Sequence, residues 1–289
     1  MVDAFSAEAF KGNPAAVCLL EDNAEVDKKW MLSVAEEFNT PVTTFLSRQV
    51  SDSHDAKSND DDAPWFRIWF FTPTVEIDLC GHGTVAATHF LFSPDIVQHD
   101  IINFVANIEI VTAKKISKAD FTMKEGDKKF FVELDFPVDP MVDDDALEPS
   151  LPKTLNGVSV VSFQKTSSND LMIELSSGKE VVMLQPNFEE IKNCEARRVI
   201  VTGPGSEGSE FDFFTRVFCP KFGVDEDHVC GSAHCALAPY WNKKLNKQSF
   251  TCFMASPRSG VLYVDLEEKS QRVRIRGEAV TTMLGTLLV

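Results

Sequence analysis

Apolar and polar positions along this chain change over in short runs, which predicts a strand-rich protein. Ala16 to Leu20, Thr43 to Leu46, Trp65 to Phe71 and Ile101 to Val105 are short, apolar and rich in β-branched or aromatic residues, as buried strands are. Phe130 to Phe136 alternates apolar and polar residues, the pattern of a half-buried strand. Val158 to Phe163, Leu171 to Leu175, Val181 to Leu184, Arg198 to Thr202 and Asp212 to Phe218 extend the series. Leu262 to Leu266, Val273 to Arg276 and Val280 to Leu288 close it. Three helices stand out. Asp27 to Phe38 places Trp30, Val34 and Phe38 at intervals of four, which is one helical face. The other two follow Cys80 and Cys230 and are apolar on nearly every side. A helix without a polar face has to be surrounded. The first of these is expected to stop near Ser93-Pro94, where proline blocks continuation. The pattern therefore predicts an α+β protein in which one buried helix per lobe is wrapped by short strands.

The segments that open these two helices repeat one another 150 residues apart. Cys80-Gly81-His82-Gly83-Thr84 aligns with Cys230-Gly231-Ser232-Ala233-His234, and both lead into small and apolar residues. The approaches match as well: Arg67-Ile68-Trp69-Phe70-Phe71-Thr72-Pro73 and Arg216-Val217-Phe218-Cys219-Pro220. A duplicated strand, loop and helix suggests two similar lobes facing one site. The charged segment Ile116 to Lys128, with Gly126 inside it, is the expected boundary. It divides the chain into an N-terminal lobe, 1–118, and a C-terminal lobe, 119–279.

A helix N-terminus offers unpaired backbone N–H groups and partial positive charge. Gly81 and Gly231 would let a ligand approach that backbone, and two such tips make a cradle for a carboxylate. The same field favours thiolate at Cys80 and Cys230, which could then give and take a proton on opposite sides of one carbon. The alternative is that both are small buried apolar residues, as free cysteines commonly are. His82 and Ser232 occupy matching places, where they could bond a ligand or cap their helices; histidine caps poorly, so His82 is the better chemical candidate. Asp225, Glu226 and Asp227 lie close enough before Cys230 to reach the same place, or form a solvated acidic turn. His234 reads as structural.

Composition narrows the partners. Of 289 residues, 28 are basic and 44 acidic, a net charge of −16, which repels phosphate backbones and anionic lipid and excludes nucleic acid and membrane partners. Part of the excess lies in the run Asp52 to Asp62, read as a solvated loop. Seven spread cysteines without a secretory signal favour reduced thiols and a cytoplasmic protein over a disulfide framework. No Cys-x-x-Cys pair and no His-x-x-x-His spacing occurs, so no metal site is expected. The start, Met1 to Phe5, shows no basic and apolar leader and enters a strand almost at once, which suggests that a few residues precede it.

Several motifs in order resemble the PhzF-like (phenazine biosynthesis-like) family within the diaminopimelate-epimerase-like fold. Asp3-Ala4-Phe5 with Phe10-Lys11-Gly12-Asn13-Pro14-Ala15-Ala16-Val17 is similar to the family's opening. Phe71-Thr72-Pro73, Glu76 and Asp78-Leu79-Cys80-Gly81-His82-Gly83-Thr84 resemble its first loop, and Gly223 to His234 its second. Arg258 with Gly260, and Ile275-Arg276-Gly277-Glu278-Ala279, resemble its closing strands. The resemblance implies two pseudo-symmetric barrel-like lobes with the site between them, and a C-terminal strand, about 280–289, returning to the first. It implies proton transfer on a small carboxylic acid without a cofactor, in a protein that is often a homodimer. His82, Asp227 and Ser232 fall on its active-site positions; Gly81, Gly83 and Gly231 fall on the ligand-facing loops, and Asn13 lies near the cleft. One departure stands out. The family's Asn-x-x-Glu-Thr-x-Phe carries the proton-transferring glutamate, and Asn39-Thr40-Pro41-Val42-Thr43-Thr44-Phe45 has Val42 there. The fold's cysteine-pair racemases place thiols where Cys80 and Cys230 stand, although they continue Cys-Gly-Asn-Gly where this chain reads Cys80-Gly81-His82-Gly83. The leading reading is an isomerase using His82, Asp227, Cys80 and Cys230. The runner-up is a catalytically silent carboxylate-binding protein.

Overall fold

The computed structural model describes residues 1–21, 27–49, 63–93, 96–117, 130–142 and 158–288. The acidic run 52–62, the segment 118–129 and the proline after Ser93 lie outside the described residues. The chain groups into two compact units, Met1–Asp135 with Arg276–Val289, and Phe136–Ile275.

The first unit contains β1 (Val2–Ala4), β2 (Asn13–Leu19), α1 (Lys28–Phe38), β3 (Val42–Arg48), β4 (Trp65–Phe71), β5 (Glu76–Ile77), α2 (Gly81–Phe92), β6 (Ile101–Val105) and β7 (Ile110–Ser117). It also holds most of β8 (Phe130–Pro137), and after the chain returns within β17 (Arg272–Gly277) it ends with β18 (Ala279–Thr281). Strand β1 pairs antiparallel with both β2 and β18. Strand β2 runs parallel to β3, β3 antiparallel to β4, β4 parallel to β6, and β6 antiparallel to β7. Successive side chains of a strand point to opposite faces. Phe45 therefore packs with Trp69, Phe71 and the Met31, Val34 and Ala35 side chains of α1, whereas Thr44 and Phe70 meet Gly83 of α2. Asp27 caps α1 by accepting from the Lys29 and Trp30 N–H groups.

The second unit follows the same plan. It contains β9 (Met141–Val142), β10 (Val160–Thr166), β11 (Leu171–Leu175), α3 (Gly178–Met183), α4 (Phe188–Asn193), β12 (Val199–Pro204), β13 (Phe213–Cys219), β14 (Val224–Asp227), α5 (His234–Leu245), β15 (Ser249–Met254) and β16 (Gly260–Glu267). Strand β11 runs parallel to β12, β12 antiparallel to β13, β13 parallel to β15, and β15 antiparallel to β16. Val199, Val201 and Phe218 face α3 and α4 through Val181, Leu184 and Ile191. On the other face, Thr202 accepts the Trp241 indole N–H of α5 at 3.1 Å. Phe213 stacks against His234 and Trp241, two turns apart on α5. The approach strands match in detail: the Arg67 guanidinium lies over Trp69 and that of Arg216 over Phe218, each two residues ahead on one strand face.

Two expectations need correction. Val181 to Leu184 is not a strand; Val181 lies in α3. The Ser177 hydroxyl accepts from the Glu180 N–H, and the Glu180 carboxylate accepts from Ser176, so a capping arrangement overrides the local β propensity. Val280 to Leu288 forms a strand only to Thr281, where the ladder with β1 ends. Strands β7 and β15 carry charged or small polar residues between their apolar ones and are absent from the sequence reading.

Burial holds two helix histidines neutral: desolvation pulls His89 on α2 and His234 on α5 down to about 4 from an ordinary 6.5. The unfolded chain protonates both imidazoles as pH falls through 6.5, while the folded chain resists until near 4, so stability is lost on acidification. Between pH 6.5 and 5, above the carboxylate range, each should cost about 1.5 kcal/mol. Urea denaturation at several pH values should show this slope, and His89→Phe and His234→Gln should each make it shallower.

Candidate functional site

Cys80 has extended backbone (φ −142°, ψ 112°) and precedes the first residue of α2, so its side chain lies at the start of a twelve-residue helix. Its sulfur is 3.3 Å from His82 Nδ1. The Thr84 backbone N–H and hydroxyl both donate to the Cys80 carbonyl, at 3.0 and 2.8 Å, fixing the loop against the first turn. The two glycines of this loop differ. A Cβ on Gly81 would meet nothing within 4 Å, so the backbone there is open to an approaching group. A Cβ on Gly83 would lie 2.8 Å from Thr44 Oγ1 and 3.0 Å from the Phe70 ring, so that glycine serves close packing of α2 on β3 and β4. Asn13 is buried on β2 opposite Ala4. The preceding Gly12 has φ 66°, and a side chain there would strike the Ala4 carbonyl. Val42 is fully buried on β3, level with Ala15. Glu76 is a clasp: it accepts from Lys28 and Asn107, which hold its pKa low although burial works to raise it.

In the second unit, Cys230, Gly231, Ser232 and Asp227 come together. The helix starts later than its counterpart, at His234, because residues 231–233 form a turn with i to i+3 bonds. Here the His234 Nδ1 bonds the Cys230 carbonyl at 3.0 Å, taking the place of the Thr84 hydroxyl. A neutral imidazole must carry its proton on Nδ1 to do so. Ser232 is exposed, Gly231 buried, and neither Ser232 nor His82 caps a helix with its side chain.

A further residue escapes the sequence reading. Arg198 Nη1 donates to Cys230 Sγ at 3.1 Å and to Ser232 Oγ at 3.0 Å. Its Nε donates to Asp170 at 2.6 Å, and Arg197 bonds the same carboxylate through two nitrogens. The parallel register Leu171 to Val199 sets Asp170 and Arg198 side by side at the starts of β11 and β12. Asp170 is 0% exposed, and a carboxylate so buried requires this compensation. The signal available in the chain is that each of these apolar strands opens on charge: Asp170 before Leu171, and Arg197-Arg198 before Val199.

The thiolate expected from the helix-tip field is not what the structure gives at Cys230. Burial pushes the thiol up, the neighbouring Asp227 carboxylate pushes it further, and Arg198 pulls only partly back, leaving it at about 12. Burial likewise raises Cys219, Cys235 and Cys252. Cys230 is therefore a neutral thiol near pH 7, bonded to a carboxylate acceptor. Among the described residues no cluster of metal-ligating side chains occurs, and no helix is long and apolar enough to cross a membrane.

The fold agrees with that of the known proteins the chain matches. The profile of the phenazine biosynthesis-like protein family (PhzC-PhzF) matches residues 2–285, and the chain belongs to that family. Its fold is the diaminopimelate-epimerase-like α+β fold. An uncharacterized isomerase of Halalkalibacterium halodurans is 36% identical over 100% of this chain and 97% of its own. A PhzF-family protein structure from Enterococcus faecalis is 32% identical with a TM-score of 0.79, covering 98% of this chain and 95% of that one. A hydroxyproline epimerase from Agrobacterium vitis, solved with trans-4-hydroxy-L-proline, has a TM-score of 0.50 at 12% identity over 89% of this chain and 79% of that one, a likeness of fold alone.

Two outcomes follow from this geometry. Gly83→Ala should lower stability by about 1–3 kcal/mol through overpacking, and Gly81→Ala should leave it within about 0.5 kcal/mol, as thermal melts would show. Iodoacetamide at pH 8 should label Cys230 about a hundredfold or more slowly than free cysteine, read by peptide mass spectrometry, and Asp227→Asn should speed labelling by removing a charge that holds the proton on sulfur.

Proposed function

We propose that this protein is an isomerase-type enzyme that moves a proton on a small carboxylic acid without a cofactor. The observation that carries the reading is the group at the start of α5: a neutral Cys230 thiol bonded to the Asp227 carboxylate, flanked by Ser232 and Arg198. The Cys80–His82 contact at the start of α2 forms a second sulfur-based acid–base pair. In the proposed reaction the Cys230 thiol delivers the proton to the carbon next to the carboxylate and takes it back, with Asp227 available to share it. The Cys80–His82 pair offers the same chemistry in its own unit. Negative charge grows on the carboxylate as the proton leaves, and helix N-termini stabilise charge developing there. Relatives named as isomerases support this class of reaction.

A second reading has one observation in its favour. Val42, fully buried on β3, stands where the family resemblance puts a proton-transferring glutamate, and valine carries no proton. The protein would then bind a small carboxylate without turning it over.

Incubation in heavy water with α-amino, α-hydroxy and unsaturated small carboxylic acids, followed by proton NMR, separates the two. Solvent deuterium should enter the carbon beside the carboxylate of at least one acid, and Cys230→Ser should cut that rate about a hundredfold or more while the acid still binds. Binding without exchange, unchanged in Cys80→Ser and Cys230→Ser, would establish the silent reading instead.

A further inference from the structure

Arg198 is held as a receptor is held. Its Nε edge is committed to Asp170, a fully buried carboxylate that also receives Arg197. The arginine is therefore not free to swing, and its terminal nitrogens have one direction to face. Nη1 points at Cys230 Sγ and Ser232 Oγ, the first a weak acceptor and the second an exposed hydroxyl. Nη2 has no acceptor among the described residues. Two arginines share the Asp170 carboxylate, and the Asp227 charge acts on both Arg198 and the thiol. A guanidinium with its Nε edge occupied, Nη2 unengaged among the described residues and Nη1 on a weak sulfur acceptor and an exposed hydroxyl suits one partner best, a carboxylate that displaces the hydroxyl and bridges Nη1 and Nη2 in the bidentate manner.

Building on the proposed function, we propose that Arg198 binds the substrate's carboxylate end-on, beside the thiol that delivers the proton. The substrate class is then a free acid; an amide of the same skeleton lacks the second oxygen, an ester has only a weakly accepting one, and neither carries the charge. The carbon attached to that carboxylate lies next to Cys230 Sγ, because Nη1 is 3.1 Å from the sulfur. The guanidinium also meets the charge that develops on the carboxylate as the adjacent proton leaves, so it contributes to the reaction as well as to binding. Asp170 acts through Arg198 as a positioning residue, while Arg197 shares the Asp170 carboxylate without reaching the sulfur.

The test uses the chain itself and two alkylating reagents. The Cys230 thiolate displaces iodide from either reagent to form a thioether, carboxymethyl from iodoacetate and carbamoylmethyl from iodoacetamide. Both consume the same thiolate, so the ratio of their rates cancels any change in the thiol's ionisation. At pH 9 in low salt, with sites resolved by peptide mass spectrometry, Cys230 should favour iodoacetate over iodoacetamide, unlike an unassisted thiol. Arg198→Gln should lower that ratio about tenfold or more, Arg198→Lys should give an intermediate value, and Arg197→Gln should leave it unchanged. An arginine that only packs the loop would slow or speed both reagents together. Equal effects of Arg197→Gln and Arg198→Gln, no preference for iodoacetate, or no labelling of Cys230 would each overturn the proposal. The expected ratio with no deuterium exchange in any acid would leave this receptor standing and remove the isomerase. Exchange with an unaltered KM in Arg198→Gln would do the reverse.

Discussion

The helices α2 and α5 are apolar around most of their circumference, and enclosing them is the constraint from which the rest of the architecture follows. A helix with one apolar stripe can lie on a sheet; one with no polar face has to be covered on every side. Each unit does this with short strands that pair in the same sequence of parallel and antiparallel steps. Once the flanks are buried, only the ends of the helix can meet solvent. The N-terminal end brings unpaired N–H groups, partial positive charge and whatever residues open the helix. Here those are Cys80-Gly81-His82 and Cys230-Gly231-Ser232. What each tip can present thus follows from the need to bury the helices, and the likeness of the two tips follows from the likeness of the two enclosures.

The same enclosure decides the ionisation of the thiols behind the tips. A helix dipole and a nearby guanidinium both favour thiolate, yet Cys230 remains protonated because desolvation and the Asp227 charge act together against it. A short-range field cannot overcome removal from water when Cys230 is only 4% exposed. His234 obeys the same balance with the opposite sign. Burial removes its proton, and the neutral ring becomes a fixed donor to the Cys230 carbonyl. Thr84 holds the Cys80 carbonyl with a hydroxyl. One backbone contact is thereby conserved between the units while the residue that makes it has changed.

The parts of this design that are local in sequence were legible there. The repeated Cys-Gly loops, the faceless helices after them and the short apolar strands Trp65–Phe71, Ile101–Val105 and Leu171–Leu175 need no information beyond their neighbours. Where two local signals compete, the reading fails. Val181 and Val182 look like a strand, but Ser177 and Glu180 close a helical turn around them. Whatever depends on register was out of reach. Asp170, Arg198 and Cys230 are far apart in the chain, and only the pairing of β11 with β12 sets the carboxylate beside the guanidinium that reaches the sulfur. Likewise the two glycines of the first loop look alike in sequence, and only the packing of Thr44 and Phe70 under Gly83 separates them.

The two units have kept their scaffold and diverged in chemistry. In the first, the sulfur's polar neighbour is an imidazole two residues on, half exposed, and the strand position where the family resemblance puts a carboxylate is filled by buried Val42. In the second, the sulfur has a hydroxyl, a carboxylate and a guanidinium, the last anchored by a buried ion pair. A group that must both accept and release a proton benefits from a polarizable, exposed partner such as histidine, whereas a group that must hold a proton until needed benefits from burial and an adjacent negative charge. The asymmetry leaves the first tip with a half-exposed imidazole beside its sulfur and the second with a buried thiol under a carboxylate. Val42 brings no charge to the first unit's strand, whereas in the second unit Asp170 holds a guanidinium in place beside the sulfur, which is the feature on which the proposed carboxylate receptor rests.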